Sequence, residues 1–79
     1  MSKRPIYKIA DEISAKWPKP YFGAEPYLRA MRYVSAPEDR FGDDNGRTLA
    51  IYFLANAQSF RGNDARRLKA ELKSVCDIK

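Results

Sequence analysis

Leu49-Ala50-Ile51-Tyr52-Phe53-Leu54-Ala55-Asn56-Ala57 carries no charged side chain, and how this stretch is read decides the fold. It is far too short to cross a bilayer, which takes about 20 residues. An apolar run without a polar stripe belongs to a buried element. Periodicity does not separate strand from helix over so short a run. Its three alanines and two leucines favour helix. Polar flanks set its start near Asn45 and its end near Ser59. The expected fold is all-α: a compact four-helix domain with a central buried third helix and three amphipathic segments wrapped around it.

Downstream, Ser59, Phe60, Arg61, Gly62 and Asn63 form a short connection. Gly62 supplies left-handed geometry, and Asn63 is a candidate cap for the next helix. Ala65, Leu68, Leu72 and Val75 or Cys76 recur at helical spacing and predict a last helix over 63–76. Cys76 continues that inner stripe and reads as a small buried apolar side chain. The outer faces hold Arg66, Arg67, Lys69, Glu71 and Lys73. Arg66, Lys69 and Lys73 share one face, which makes this the most basic element of the chain.

Upstream, Ala36 to Asn45 is the main loop and the only acidic region. Asp43, Asp44 and Asn45 stand where a helix start wants cap acceptors and negative charge. The loop lacks the alternating oxygen ligands and closing glutamate of an EF-hand, so it is not read as a calcium site. A second helix is predicted over 24–35, with Pro26 in its first turn and Leu28, Met31 and Val34 or Ser35 inside. Arg29, Arg32 and Tyr33 lie outside that stripe. Arg and Tyr are enriched at binding hot spots, so these three form a candidate contact patch. Lys19 to Gly23 is a turn, and Tyr21 and Phe22 are expected to fold back beside Trp17 and close the core.

Ile6, Ile9, Ala10, Ile13 and Trp17 form one helical face and predict a first helix over 5–17. Pro18 and Pro20 end it. Glu12 and Lys16 are spaced as a favourable i, i+4 pair. Met1 to Arg4 is expected to be a loose basic tail.

The chain has 79 residues, which makes one domain, 1–79. Apolar residues make up 44%, enough to exclude disorder by composition. One cysteine cannot form an internal disulfide, which fits a reducing cytoplasm. No signal peptide and no transmembrane segment is read. The net charge of +5 favours contact with nucleic acid or with an acidic protein surface.

Missing residue types narrow the chemistry further. Without histidine there is no Ser–His or Cys–His pair, and one cysteine cannot build a zinc site. No phosphate loop of the GxxxxGK[ST] or GxGxxG kind occurs. The paired acids Glu38–Asp39 and Asp43–Asp44 lie in a polar loop, where nothing raises a carboxyl pKa for general-acid work. No catalytic, cofactor-binding or metal-binding residues are assigned, and the chain is not read as an enzyme. A helix-turn-helix centred on Gly62 fails by register. Gln58 stands where a small residue is needed, and Arg61 and Asn63 stand where apolar residues are needed. Looser contact with phosphates through Arg61, Arg66, Arg67, Lys69 and Lys73 remains open.

Four segments resemble a group of small proteins encoded on phages, prophages and plasmids. They are Lys-Ile-Ala-Asp-Glu-Ile at 8–13, Pro-Tyr-Phe-Gly-Ala-Glu-Pro-Tyr-Leu-Arg-Ala-Met at 20–31, Tyr-Phe-Leu-Ala-Asn-Ala at 52–57 and Phe-Arg-Gly-Asn-Asp-Ala-Arg-Arg-Leu-Lys-Ala-Glu-Leu-Lys at 60–73. Small orphan proteins of mobile elements often counter host defence. The resemblance therefore implies a non-enzymatic inhibitor, foremost an anti-CRISPR protein that binds a Cas effector complex in the bacterial cytoplasm and obstructs target DNA recognition. The expected contact residues are Arg29, Arg32, Tyr33, Arg61, Arg66, Arg67, Lys69 and Lys73, in a monomer without membrane contact. The alternative is a phage or plasmid accessory protein that binds nucleic acid directly through the basic helical face. A third is an accessory subunit of an enzyme.

Overall fold

A computed structural model describes residues 4–78. Helix α1 spans Ile6–Lys16, α2 Glu25–Met31, α3 Gly46–Ala55 and α4 Asn63–Cys76. Between α2 and α3 lies a minimal antiparallel hairpin, β1 (Arg40–Phe41) and β2 (Asp44–Asn45). Arg40 pairs with Asn45 and Phe41 with Asp44. Gly42 turns the hairpin with φ +66°, as a two-residue connection requires. The protein is thus largely helical, with one short hairpin in the loop. Among the described residues no helix is long and apolar enough to cross a membrane.

The first helix follows its stripe: Ile6, Ile9, Ala10 and Ile13 are buried. Pro5 stands just outside as the N-cap, in extended geometry, and its carbonyl accepts from the Lys8 N–H at 3.0 Å. Residues 1–3 of the expected loose tail lie outside the described residues. Arg4 is not loose: its guanidinium grips Glu71 of α4 through Nε at 2.7 Å and Nη2 at 2.5 Å. Glu12 and Lys16 do not pair with each other. Glu12 takes Arg4 (2.8 Å) and Arg67 (2.5 Å), and Lys16 reaches Asp64 at 3.7 Å.

The second helix is shorter than its pattern predicts. Leu28, Met31 and Val34 are buried as expected, but regular helix ends at Met31. Pro37 bars Ala36 from helical geometry. The Asp39 carboxylate then accepts from the Ser35 and Ala36 N–H groups, both at 2.9 Å. Those bonds hold the Asp39 carboxyl below its ordinary range, Ala36 contributing most. The Ser35 carbonyl accepts from the Ile6 N–H at 2.9 Å and ties this exit to the start of α1.

Asn45 caps α3, its Oδ1 accepting from the Thr48 N–H at 2.8 Å. Two further amides at this end donate into the loop, Gly46 to the Asp39 carbonyl (2.7 Å) and Arg47 to that of Pro37 (2.9 Å). Gly46 is needed for closeness: a Cβ there would stand 2.7 Å from the Ala36 carbonyl oxygen. Leu49, Ala50 and Phe53 are buried, but Ile51 and Tyr52 are 42% and 44% exposed. The helix therefore has an outer face and is not buried on all sides. The main helix contacts join α1 to α2 and α4, and α3 to α2 and α4. That arrangement is a closed ring of four around a shared core, with Phe53 among its largest fully buried side chains. Asn56 closes α3, its Nδ2 donating to the Tyr52 carbonyl at 2.9 Å.

The cap of α4 is Gly62, not Asn63, with φ +111° and ψ −177°. This mirror-extended region, not the left-handed helical one, is open almost only to glycine. At the other end Asp77 is left-handed. Ile78 N–H donates to the Lys73 carbonyl (2.8 Å) and Asp77 N–H to that of Ser74 (3.3 Å), a Schellman closure. Cys76 is buried.

Candidate functional site

The basic residues of α4 divide into two groups by direction. Arg67 faces α1, between Glu12 and Asp64 (3.3 Å). Along this seam Arg4, Glu12 and Lys16 meet Glu71, Arg67 and Asp64 in that order, so α1 and α4 run antiparallel. The network shifts its members in the expected directions. The Arg67 hydrogen bond, then that of Arg4, holds Glu12 below its ordinary range. Arg4 does the same for Glu71. Arg4 and Arg67 are raised, chiefly by their bonds to Glu71 and Glu12 respectively.

The second group lies at the corner where the Phe60–Gly62 turn enters α4. Phe60, Arg61, Gly62, Ala65, Arg66 and Lys69 line an open cleft of about 340 Å³. Its floor is rigid: Phe60 is buried and stacks on Trp17 at 5.0 Å between centroids. Lys69 Nζ donates to the Phe60 carbonyl at 2.7 Å and stands 5.7 Å from the centre of its ring, within cation–π range. Arg61 Nε donates to the Gln58 carbonyl at 3.3 Å. Arg61, Arg66, Lys69 and Lys73 have no carboxylate partner among the described residues. Burial lowers the Lys69 pKa, and the charges of Lys73 and Arg61 lower it further. The cations of the corner therefore repel one another.

The expected patch on α2 is assembled, but its arginines are neutralised. Arg29, Arg32 and Tyr33 line one shallow hollow with Asp11. Arg29 holds Glu25, and Arg32 Nε binds Asp11 Oδ1 at 2.8 Å. Tyr33 is 72% exposed and stacks on Phe41 of the hairpin at 5.5 Å and 21°. Phe41 had no role in the sequence reading. Its partner becomes visible only once Gly42 turns the hairpin.

Tyr21 and Phe22 do not close the core. Phe60 takes the place beside Trp17, and Phe22 is left 79% exposed. Their rings meet at 4.7 Å on the surface. Tyr21 lines a hollow with Ala55, Asn56, Gln58 and Ser59, adjacent along the chain to the cationic corner. The local signal was Pro20 before them and Gly23 after them, which hold two aromatics in a tight turn instead of on a helix face. In the acidic loop, Glu38, Asp39 and Asp43 are exposed. Among the described residues no three acidic or cysteine side chains converge on a common point that could hold a metal.

Comparison with known proteins finds no matching family model, no similar curated protein and no similar solved structure.

Proposed function

We propose that the protein works by binding, and that its cationic corner takes the phosphates of a nucleic acid. One observation carries this reading. Arg61, Arg66 and Lys69 line one cleft, with the charge of Lys73 felt at Lys69, and no carboxylate among the described residues neutralises them, whereas Arg4, Arg29, Arg32 and Arg67 each hold an acid. Cations kept together against their own repulsion favour an anionic ligand, and a phosphate backbone supplies regularly spaced charge. Four such contacts give a log–log salt slope of roughly −3. The test is fluorescence anisotropy with labelled DNA at rising salt. The expected result is binding at low salt with that slope, weakened on the order of a hundredfold by Arg66→Glu with Lys73→Glu. No binding at low salt overturns the proposal.

A second reading follows the resemblance to mobile-element proteins: a non-enzymatic inhibitor of a host defence complex, foremost an anti-CRISPR protein acting on a Cas effector in the bacterial cytoplasm. The feature that favours it is the exposed Tyr33–Phe41 stack beside Arg29 and Arg32, a pairing of rigid aromatics with arginine suited to a protein hot spot. Affinity purification from a host lysate, with and without nuclease, separates the two. Cas subunits retained after nuclease and lost with Tyr33→Ala support the inhibitor. Recovery only of nucleic acid and its usual companions removes it.

A further inference from the structure

Phe22 is exposed far beyond what a domain this small leaves unused without reason. Large aromatics are its scarcest source of burial. Nothing in the turn is slack. The Tyr21 carbonyl accepts from the N–H groups of Ala24 (2.8 Å) and Glu25 (3.2 Å), so the backbone that carries both rings is locked onto the start of α2. The Tyr21 ring lies across Gly23: a Cβ there would stand 2.7 Å from its edge and 3.0 Å from the Asn56 side chain. Glycine thus makes room for the ring, and Asn56 is itself anchored to the Tyr52 carbonyl. The turn backbone and the Tyr21 ring are thus held in place, and the Phe22 ring rests on Tyr21 at 4.7 Å.

Its neighbour is the cationic corner. Gln58 lines the hollow under Tyr21, and the Gln58 carbonyl receives Arg61 Nε. The turn from Gln58 to Arg61 therefore joins an aromatic platform to a cleft whose cations have no carboxylate partner among the described residues. Proteins that hold single strands combine these two parts, a basic track for the backbone and ring faces for the bases. In a duplex the bases already stack on each other, and exposed rings gain little.

Building on the nucleic-acid reading above, we propose that the partner is single-stranded nucleic acid, its phosphates held by Arg61, Arg66, Lys69 and Lys73 and a base stacked on Tyr21–Phe22. The platform discriminates little among bases, since every base has a ring face. Phosphate charge alone would hold a strand without bases just as well, and that difference is the test.

Anisotropy is measured with three labelled probes of equal length, about 12 nucleotides: oligothymidylate, an abasic strand and a duplex. The expected order is oligothymidylate tighter than both others, by roughly tenfold or more. Phe22→Ala removes that preference over the abasic strand, and so does Gly23→Ala, which displaces the Tyr21 ring. Both variants are checked for an unchanged circular dichroism spectrum, and Phe22, being exposed, supports no core contact that its loss would break. Equal affinity for oligothymidylate and the abasic strand, or a preference for the duplex, overturns the stacking proposal and leaves the nucleic-acid reading in place. Failure of all three probes to bind at low salt overturns both.

Discussion

Two faces of α4 use their cations in opposite ways. Toward α1, Arg67 is locked between Glu12 and Asp64, in a network extended by Arg4, Glu71 and Lys16. Around the corner, Arg66 and Lys73 have no carboxylate partner among the described residues, and Lys69 is held by a carbonyl and a ring. Arg66 and Arg67 are adjacent in sequence, yet a step of one residue turns about 100° around a helix and separates the two roles. A basic helix is thus not one surface. Charge opposite an acid from another helix fastens the fold, and charge without one is available to a partner.

The contrast can be broken most directly at the corner. Arg66→Glu with Lys73→Glu lowers DNA affinity on the order of a hundredfold at low salt and leaves the melting temperature unchanged or raised. A large loss of stability in that double variant would show that the corner fastens the fold after all. The turn that opens α4 is next. Gly62→Ala places a side chain at φ +111°, where no atom crowds it within 4 Å, so the penalty is purely conformational. Chemical denaturation should show a loss of about 1–3 kcal/mol. An unchanged midpoint would mean that the turn relaxes freely.

At the seam, Glu71→Gln costs about 1 kcal/mol or less, since the Arg4–Glu71 pair is partly exposed and screened by solvent. DNA affinity stays at the parent value. A fall in affinity matching that of the corner variant would erase the distinction between the faces. The smallest effect is in pH. Glu12 and Glu71 are lowered in the folded state, so their stabilising contribution is complete above the ordinary glutamate range, about pH 4.3. It fades as the pH falls through their lowered values. Thermal melts below pH 5 should therefore drop less steeply in Glu12→Gln/Glu71→Gln than in the parent, and parallel curves would remove the seam from acid denaturation. Lys69 gives the same slope for a different reason: its pKa lies below the usual lysine range, so protonated Lys69 costs stability, and the cost is relieved as pH rises through that value.

How far the sequence foretold this division depends on the element. The span of α4 was legible because its stripe is regular and Gly62 opens it. Asn45 was legible as part of an N-cap because its side-chain oxygen can accept from the N–H of the third residue of the helix. The shortening of α2 was not, since it follows from Asp39 capturing two amides, a choice no periodicity encodes. The outer face of α3 was missed because Ile51 and Tyr52 carry no charge, and an uncharged surface reads as core. For the candidate site, spacing placed Arg66, Lys69 and Lys73 on one face. It could not tell that Arg67 would meet Glu12, because the acid comes from a helix more than fifty residues away. Tyr21 and Phe22 were assigned to the core by their size, while Phe60 took the place beside Trp17.

The antiparallel seam has a consequence for how the molecule comes into being. Arg4 and Glu71 are separated by 67 positions. On a ribosome the chain emerges from its N-terminal side, so α1 waits with part of its apolar face uncovered until nearly all of α4 has been made. Loop closure over that distance is entropically slow relative to local helix formation. Between those two moments the nascent chain leaves the part of α1 that α4 covers open to whatever lies nearby, and a chaperone or an early-bound partner would find it there. Synthesis of α4 ends that interval, so a lesion in α4 lengthens the exposure of α1 before it weakens any single bond.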